Sequence, residues 1–292
     1  EDYRQAVRTQ LITGIANTYY TLLMLDEQLD LSRQTETAWK ETVASTRALM
    51  NAGLANESAV SQMEAAYYQV QSSVLDLQQQ ISQVENSLAL LLAETPRSYE
   101  RGMLAKQQFP TDLSIGIPVR MLSSRPDVRS AERTLEAAFY GTNAARSAFY
   151  PSITLSGSAG WTNSAGSLIL NPGKFLASAV GSLTQPLFNK GQVVAQYRIA
   201  RAQQEEAALG FLQTLLNAGS EVNDALIAYQ TSQGKRLLLD KQIASLQTAL
   251  QSTSLLMEHG NTTYLEVLTA RQSLLSAQLS QTANHFTEIQ SL

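Results

Sequence analysis

Apolar residues recur at alternating steps of three and four along residues 60–91, with no polar residue among them. The positions are Val60, Met63, Tyr67, Val70, Val74, Leu77, Ile81, Val84, Leu88 and Leu91. A stripe that repeats every 3.5 residues predicts an α-helix that supercoils around a neighbouring helix. At about 1.5 Å per residue the stripe is roughly 48 Å long, so this helix is expected to need a long partner.

A second stripe of the same period runs through residues 5–50. Polar residues interrupt it at Thr18, Ser32, Glu36 and Thr46. Gly53 follows the stripe and is expected to take the left-handed conformation that ends a helix. Asn56 or Ser58 is placed to cap the next helix. Residues 5–94 are therefore predicted to form a long antiparallel helical hairpin with a tight turn.

The middle of the chain has a different pattern. Residues 95–121 contain several Pro and Gly residues among mixed neighbours, which predicts a connector. A helix is expected within residues 122–150, with Ser124 as its cap and with Pro126 and Asp127 in its first turn.

Strict alternation of apolar and polar residues marks residues 152–161. Ile153, Leu155, Ala159 and Trp161 share one side, and the polar residues of the other side are Ser and Thr without charge, so a strand is predicted. A weaker alternating run at 175–187 completes a predicted β-hairpin within residues 151–190. Arms of about 10 residues suit a tilted strand that crosses a bilayer. An edge of a soluble sandwich is the plainer alternative, and the hairpin considered alone favours it.

Residues 191–292 repeat the first helical pattern, because two striped helices flank Gly260 as they flank Gly53. Met50-Asn-Ala-Gly53 aligns with Met257-Glu-His-Gly260. The predicted fold is therefore mainly α with one β-hairpin, built from long antiparallel coiled-coil helical hairpins in an internal repeat. Both ends of the sequence lie within a helical pattern without caps, so we expect truncation at both ends.

The composition excludes several classes of function. A net charge of −4 offers no basic patch for nucleic acid. The absence of cysteine excludes disulfides and thiolate metal sites. No apolar run of 18 residues is present, so a membrane-spanning helix is not predicted.

The sequence contains no recognisable catalytic constellation. His259 and His285 have no Asp, Glu or Cys neighbours at ligand spacing. The serines of 152–158 lack the glycine spacing of a nucleophile elbow. We therefore expect no enzyme, no metal site and no cofactor.

Four motifs occur in order along the chain. They are Leu122-Ser-Ser-Arg-Pro-Asp-Val128, Ala145-Arg-Ser-Ala-Phe-Tyr-Pro-Ser-Ile-Thr-Leu155, Pro186-Leu-Phe-Asn-Lys-Gly191 and Gly260-Asn-Thr-Thr-Tyr-Leu-Glu-Val-Leu268. Together they resemble the TolC-like outer-membrane factors, in particular the lipoprotein branch that serves resistance-nodulation-division efflux pumps. Each motif alone is weak, but the match spans essentially the whole chain.

The resemblance implies a homotrimer with a β-barrel in the outer membrane and a helical tunnel in the periplasm, where most of the chain would lie. Under it, residues 1–94 and 191–292 are the two long helical hairpins of the tunnel. Residues 95–121 are the equatorial connector, 122–150 the helix leading to the membrane end, and 151–190 the β-hairpin of the barrel.

The resemblance also implies a function and partners. The protein would be a passive exit duct for small molecules, driven by an inner-membrane resistance-nodulation-division pump through a periplasmic adaptor protein, with its barrel in contact with outer-membrane lipid. A duct for a type I protein secretion system is one alternative, which the efflux-lipoprotein motifs disfavour. A soluble coiled-coil scaffold without a channel is another.

The resemblance assigns two residues to the tunnel entrance. Acidic positions beyond the second turn project into the narrow end of the tunnel, and Glu266 matches one of them, whereas Thr269 stands where some relatives carry a second acid. A ring of Glu266 carboxylates would attract cations. The alternative is an exposed glutamate that the helix dipole favours in a first turn.

Six residues are assigned to the hairpin turns and to docking of the adaptor. They are Gly53, Asn56, Ser58, Gly260, Asn261 and Thr262. In the plainer interpretation they only terminate and cap helices.

Overall fold

The computed structural model describes residues 2–107, 124–162, 174–185, 188–258 and 263–292. The elements in chain order are α1 (Asp2–Asn51), α2 (Glu57–Leu91), a short 3-10 helix (Leu104–Lys106), α3 (Pro126–Ser147), β1 (Ser152–Thr162), β2 (Lys174–Thr184), α4 (Gln192–Glu258) and α5 (Tyr264–Gln290). Long helices with one two-stranded antiparallel sheet confirm the predicted fold class.

The chain divides into two compact units. One unit contains Tyr3–Gly116 and Gly219–Leu292, and the other contains Ile117–Ala218. Helix α4 has 67 residues, which corresponds to about 100 Å, and it contributes residues to both units.

Helices α1 and α2 form the expected antiparallel hairpin. Leu22 and Leu29 of α1 pack with Val74, Ile81 and Leu88 of α2 in one buried cluster. These α2 residues belong to the predicted stripe, because a repeat of 3.5 residues keeps one side of the helix against its partner.

Some polar interruptions of the stripes are also buried. Ser32 and Thr46 of α1 and Ser232 of α4 lie among the buried residues. The Thr46 hydroxyl donates to the Thr42 carbonyl oxygen at 2.9 Å, so its hydrogen bond is made within its own helix. A small hydroxyl can therefore occupy a stripe position without an unpaired polar group.

Helix α5 packs against both α4 and the first hairpin. Toward α4, the buried Asn284 side chain donates to the Ser232 carbonyl oxygen at 2.8 Å, and Arg236 pairs with the buried Glu288. Toward the first hairpin, Tyr264 and Leu268 of α5 pack with a buried cluster on α1 and α2.

The predicted start of α3 at a Ser124 cap is wrong by one residue. Arg125 is the N-cap residue, with an extended backbone (φ −67°, ψ 132°), and Pro126 is the first helical residue. The proline ring disfavours helical geometry at the residue before it, which places the boundary at Arg125. The helix ends at Ser147, within the expected range of residues 122–150.

Candidate functional site: the strand pair and the helix turns

One face of the strand pair is apolar. Ile153, Leu155, Gly157 and Ala159 of β1 lie opposite Leu183, Gly181, Ala179 and Ala177 of β2. Ile153, Leu155 and Leu183 are 81%, 82% and 70% exposed. Large apolar side chains exposed along a continuous face mark a site that contacts an apolar partner.

The opposite face of the strand pair carries mainly hydroxyl groups. It consists of Ser152, Thr154, Ser156 and Ser158 opposite Thr184, Ser182, Val180 and Ser178. The hydroxyl oxygens of Ser158 and Ser178 are 2.7 Å apart and share a hydrogen bond. One ribbon therefore presents an apolar side and an uncharged polar side.

The strand pair is joined closely to the helices that flank it. The Gln185 side chain donates to the Phe149 carbonyl oxygen at 3.3 Å. The rings of Phe149 and Tyr197 meet edge to face, with centroids 5.8 Å apart. Between the helices, the Thr142 hydroxyl donates to the Ala200 carbonyl oxygen at 3.1 Å. These contacts hold the strand ends at the end of the α3–α4 pair.

The first helix turn lies between Asn51 and Glu57. Gly53 has φ +75°, in the left-handed region, as the turn requires. Asn56 is the N-cap residue of α2, and its side-chain oxygen accepts from the Ala59 N–H at 2.9 Å. Ser58 is already inside α2 and is not the cap.

The second turn is described only from residue 263 onward. The predicted turn and cap residues Gly260, Asn261 and Thr262 lie outside the described residues. The N-cap residue of α5 is Thr263.

Glu266 and Thr269 lie on the exposed side of α5. Val267 between them is buried, whereas Glu266 and Thr269 are exposed. The Thr269 hydroxyl donates to the Leu265 carbonyl oxygen at 2.8 Å, so it is occupied within its own helix. Glu266 is in the first turn of α5, where the helix dipole favours a negative charge. Both side chains are therefore at the surface of the chain, on either side of the buried Val267.

Arg271 and Trp39 position the start of α5 on the first hairpin. The Arg271 guanidinium lies 5.5 Å from the centroid of the Trp39 ring, and Trp39 is fully buried. Burial lowers the pKa of Arg271, and its Nε has no hydrogen-bond partner. Sequence reasoning missed this contact, because residues 39 and 271 belong to different hairpins.

A second contact that the sequence did not reveal lies at Arg101. Its Nε is 2.7 Å from Asp26 Oδ2 on α1, and its Nη1 is 2.8 Å from Glu85 Oε1 on α2. Burial raises the pKa of Asp26 above its usual value, and Arg101 opposes that increase. Arg101 therefore ties the segment after α2 to both helices of the first hairpin.

The described residues contain no group of three or more His, Cys, Asp or Glu side chains arranged to hold a metal ion.

Among the described helices, none combines the length and the apolar character needed to cross a bilayer.

The family model for outer membrane efflux proteins matches residues 1–94 and 117–285. The chain therefore belongs to the outer membrane efflux protein family, which is made of outer membrane efflux channels. This membership confirms the family resemblance of the four motifs.

Two relatives and one solved structure illustrate the similarity. The chain is 29% identical over 279 residues to the cation efflux system protein CusC of Escherichia coli, covering 95% of this chain and 61% of CusC. It is 31% identical over 288 residues to the solvent efflux pump outer membrane protein SrpC of Pseudomonas putida, covering 95% of this chain and 59% of SrpC. The structure of the outer-membrane channel OprN matches with a TM-score of 0.93 and 26% identity, over 100% of this chain and 66% of that one. The chain thus spans about three fifths of the length of the relatives.

Proposed function

We propose that this chain is part of the outer-membrane channel of a tripartite efflux system and acts as a passive exit duct for small molecules. The observation that carries this proposal is the strand pair, with an exposed apolar face backed by an uncharged hydroxyl face. A strand of 11 residues tilted by about 45° rises roughly 25 Å, which is the height of the apolar band of an outer-membrane barrel.

The apolar face then contacts outer-membrane lipid and the hydroxyl face lines the water-filled interior. Lipid offers no hydrogen bonds, so a spanning strand needs neighbouring strands on both edges. The remaining strands come from other segments and from two further copies in a homotrimer.

The helices wall the tunnel on the periplasmic side, with residues 1–94 and 191–292 as its two hairpins. Leu237 and Leu238 of α4 are more than half exposed, although other residues of the same helix are buried against α5. Apolar side chains on the outer side of an already paired helix suit a lateral neighbour. Residues 95–121 are the equatorial connector, 122–150 the helix toward the membrane, and 151–190 the strands within it.

Transport through this duct needs partners but no reaction of its own. An inner-membrane resistance-nodulation-division pump supplies the energy, and a periplasmic adaptor connects the pump to the helix turns. CusC is named for cations and SrpC for solvents, and both names describe efflux. These names support a small-molecule cargo for this chain.

The helix turns form the periplasmic end of the duct. Three copies of Glu266 around the threefold axis form a cation-attracting ring, with Thr269 one turn further along the same exposed side. The adaptor docks on the two helix turns. The docking residues are Gly53, Asn56 and Ser58 in the first turn and Gly260, Asn261 and Thr262 in the second.

The test is single-channel recording of the complete protein in a planar bilayer. The unaltered protein is expected to conduct with a preference for cations, and Glu266→Gln is expected to reduce that preference. The matched control is Glu57→Gln, which removes an exposed acid from the first turn of α2 and should leave ion preference unchanged.

Absence of conductance in the unaltered protein would overturn the duct. If the unaltered protein conducts normally and the two variants change ion preference equally, the proposal of a duct stands, but the proposed role of Glu266 is wrong.

A further inference from the structure

We propose that the base of the strand pair binds the headgroups of anionic phospholipid, through a cluster of aromatic and basic side chains that we call the headgroup collar. The collar consists of Arg146, Phe149, Tyr150, Phe188 and Lys190. The proposal rests on the membrane position of the strand pair proposed above, and it adds a lipid class and the residues that recognise it.

The aromatic members stand at the point where the strands meet the helices. Phe149 and Tyr150 lie just before β1, separated from it by Pro151, and Phe188 is four residues beyond the end of β2. Phe188 is 98% exposed and Tyr150 is 62% exposed. Aromatic rings at this level are typical of a membrane–water interface, where one part of the ring is in apolar surroundings and another part is wet.

Phe149 is held in place by the fold. Phe149 packs edge to face on Tyr197, and its carbonyl oxygen accepts from the Gln185 side chain. The ends of β1 and β2 are also joined, because the Ser152 hydroxyl donates to the Thr184 carbonyl oxygen at 3.1 Å. The hydrogen bonds at this end of the strand pair therefore fix the backbone on which the collar stands.

The basic members are close to the aromatic ones along the chain. Arg146 is in the last turn of α3, and Lys190 is two residues beyond Phe188. Both side chains are exposed, and within the described part of the chain neither forms an ion pair. Their charges are available to a partner.

The charge distribution favours an anionic partner at this end. The whole sequence has a net charge of −4. Between Glu136 and Glu205, however, it contains no Asp or Glu at all, whereas Arg146, Lys174, Lys190, Arg198 and Arg201 are basic. Lys174 lies at the other end of β2, opposite Thr162, but Arg146 and Lys190 flank the junction of the strand pair with the helices. This junction is therefore a basic region in an acidic protein.

The left-handed backbone conformation of Lys190 suggests that its side chain has a function. Lys190 has φ +57° and the following Gly191 has φ +76°. Glycine or asparagine adopts this left-handed geometry at lower cost than lysine. A lysine in this conformation fits a position where the ammonium group is needed.

A lipid fits the collar better than a peptide does. The collar adjoins the end of the apolar strand face that is nearest the helices, where Ile153 pairs with Leu183. Its partner must therefore be anionic beside the basic groups and apolar beside the strands. A phospholipid with a phosphate-bearing anionic headgroup combines these properties, and basic residues near a membrane surface are attracted to such lipids.

The test measures binding of the complete protein to vesicles of phosphatidylethanolamine with and without phosphatidylglycerol. The unaltered protein is expected to bind the phosphatidylglycerol vesicles several-fold more strongly. The double variant Arg146→Gln/Lys190→Gln should remove most of that preference, so that the two kinds of vesicle are bound about equally. The matched control is Arg33→Gln/Lys40→Gln, which removes one exposed Arg and one exposed Lys from α1 and should keep the preference.

A second variant separates the aromatic members from the basic ones. Phe188→Ala should weaken binding to both kinds of vesicle equally, because an aromatic ring does not distinguish headgroup charge. Far-UV circular dichroism of each variant checks that the helices are retained.

The possible outcomes distinguish this proposal from the duct. A preference that survives in the Arg146/Lys190 variant, or that falls equally in the control, overturns the collar. A protein that conducts in planar bilayers but ignores phosphatidylglycerol also overturns the collar and leaves the duct standing. A protein that neither conducts nor binds either vesicle overturns both.

Discussion

Replacement of Arg101 by methionine should destabilise the first hairpin strongly. The Arg101 side chain is 14% exposed and joins Asp26 and Glu85, whose side chains are 34% and 14% exposed. Methionine keeps much of the apolar stem but removes the guanidinium. Two carboxylates then face each other with no cation between them.

The magnitude follows from the burial of the three side chains. Removal of one partner from a buried ion pair costs about 3–5 kcal/mol, because the other charge remains desolvated. Asp26 is about one third exposed, so water screens part of its charge. We therefore expect the free energy of unfolding to fall by about 2–3 kcal/mol at neutral pH.

The pH dependence has a definite sign. Burial raises the pKa of Asp26 in the folded state, and loss of Arg101 should raise this pKa further. A raised folded-state pKa means that protonation favours folding below that pKa, and this contribution is lost as the pH increases through it. The cost of Arg101→Met should therefore be largest at neutral pH and should shrink on acidification.

The assay is urea unfolding of the detergent-solubilised protein, followed by far-UV circular dichroism at neutral and mildly acidic pH. Arg97→Met is the matched control, because Arg97 pairs with Glu94 at the surface. Its replacement should hardly change the free energy of unfolding. Addition of Asp26→Asn to the Arg101 variant should recover much of the lost stability. A loss no larger than that of the control, or a loss that grows on acidification, would refute the reasoning.

Three further predictions concern the first hairpin. Asn56→Ala should reduce stability by about 1 kcal/mol in the same unfolding assay, because it removes the acceptor for the Ala59 N–H, and Asn56→Asp should retain most of it. Equal losses in both variants would argue against capping. Gly53→Ala should cost about 1–2 kcal/mol from its left-handed backbone alone, since the space for a Cβ is open. Gly14→Ala in the middle of α1 should instead stabilise by about 0.5–1 kcal/mol, because its Cβ would meet Leu91 at an ordinary 4.0 Å. Changes of the same sign at both glycines would contradict this account.

Local patterns predicted the elements well for a physical reason. The stripe through Val60 and Val74 and the alternation from Ile153 to Ala159 are properties of consecutive residues, and each period matches only one kind of backbone. The left-handed turn at Gly53 is equally local. Helix boundaries were less accurate, because competing side chains stand within one residue of each other, as at Ser124 and Arg125.

Polar residues in the stripes show where pattern reasoning weakens. Ser32 and Ser232 looked like defects in a hydrophobic repeat, yet both are buried. Buried Ser232 offers its carbonyl oxygen to Asn284, which lies 52 residues further along the chain. The period alone does not show whether a polar residue in a stripe faces solvent or a partner.

The amino-acid sequence alone predicted the class of fold, the direction of each helix pair, the two faces of the strand pair and the family. Each of these follows from short-range periodicity or from motifs in a fixed order. The sequence did not predict the pairing of Arg101 with Asp26 and Glu85, or the stacking of Arg271 on Trp39. Such contacts depend on the rotation and register of one helix against another, which no single segment encodes. Packing also buries Val267 of α5 and leaves the neighbouring Glu266 exposed.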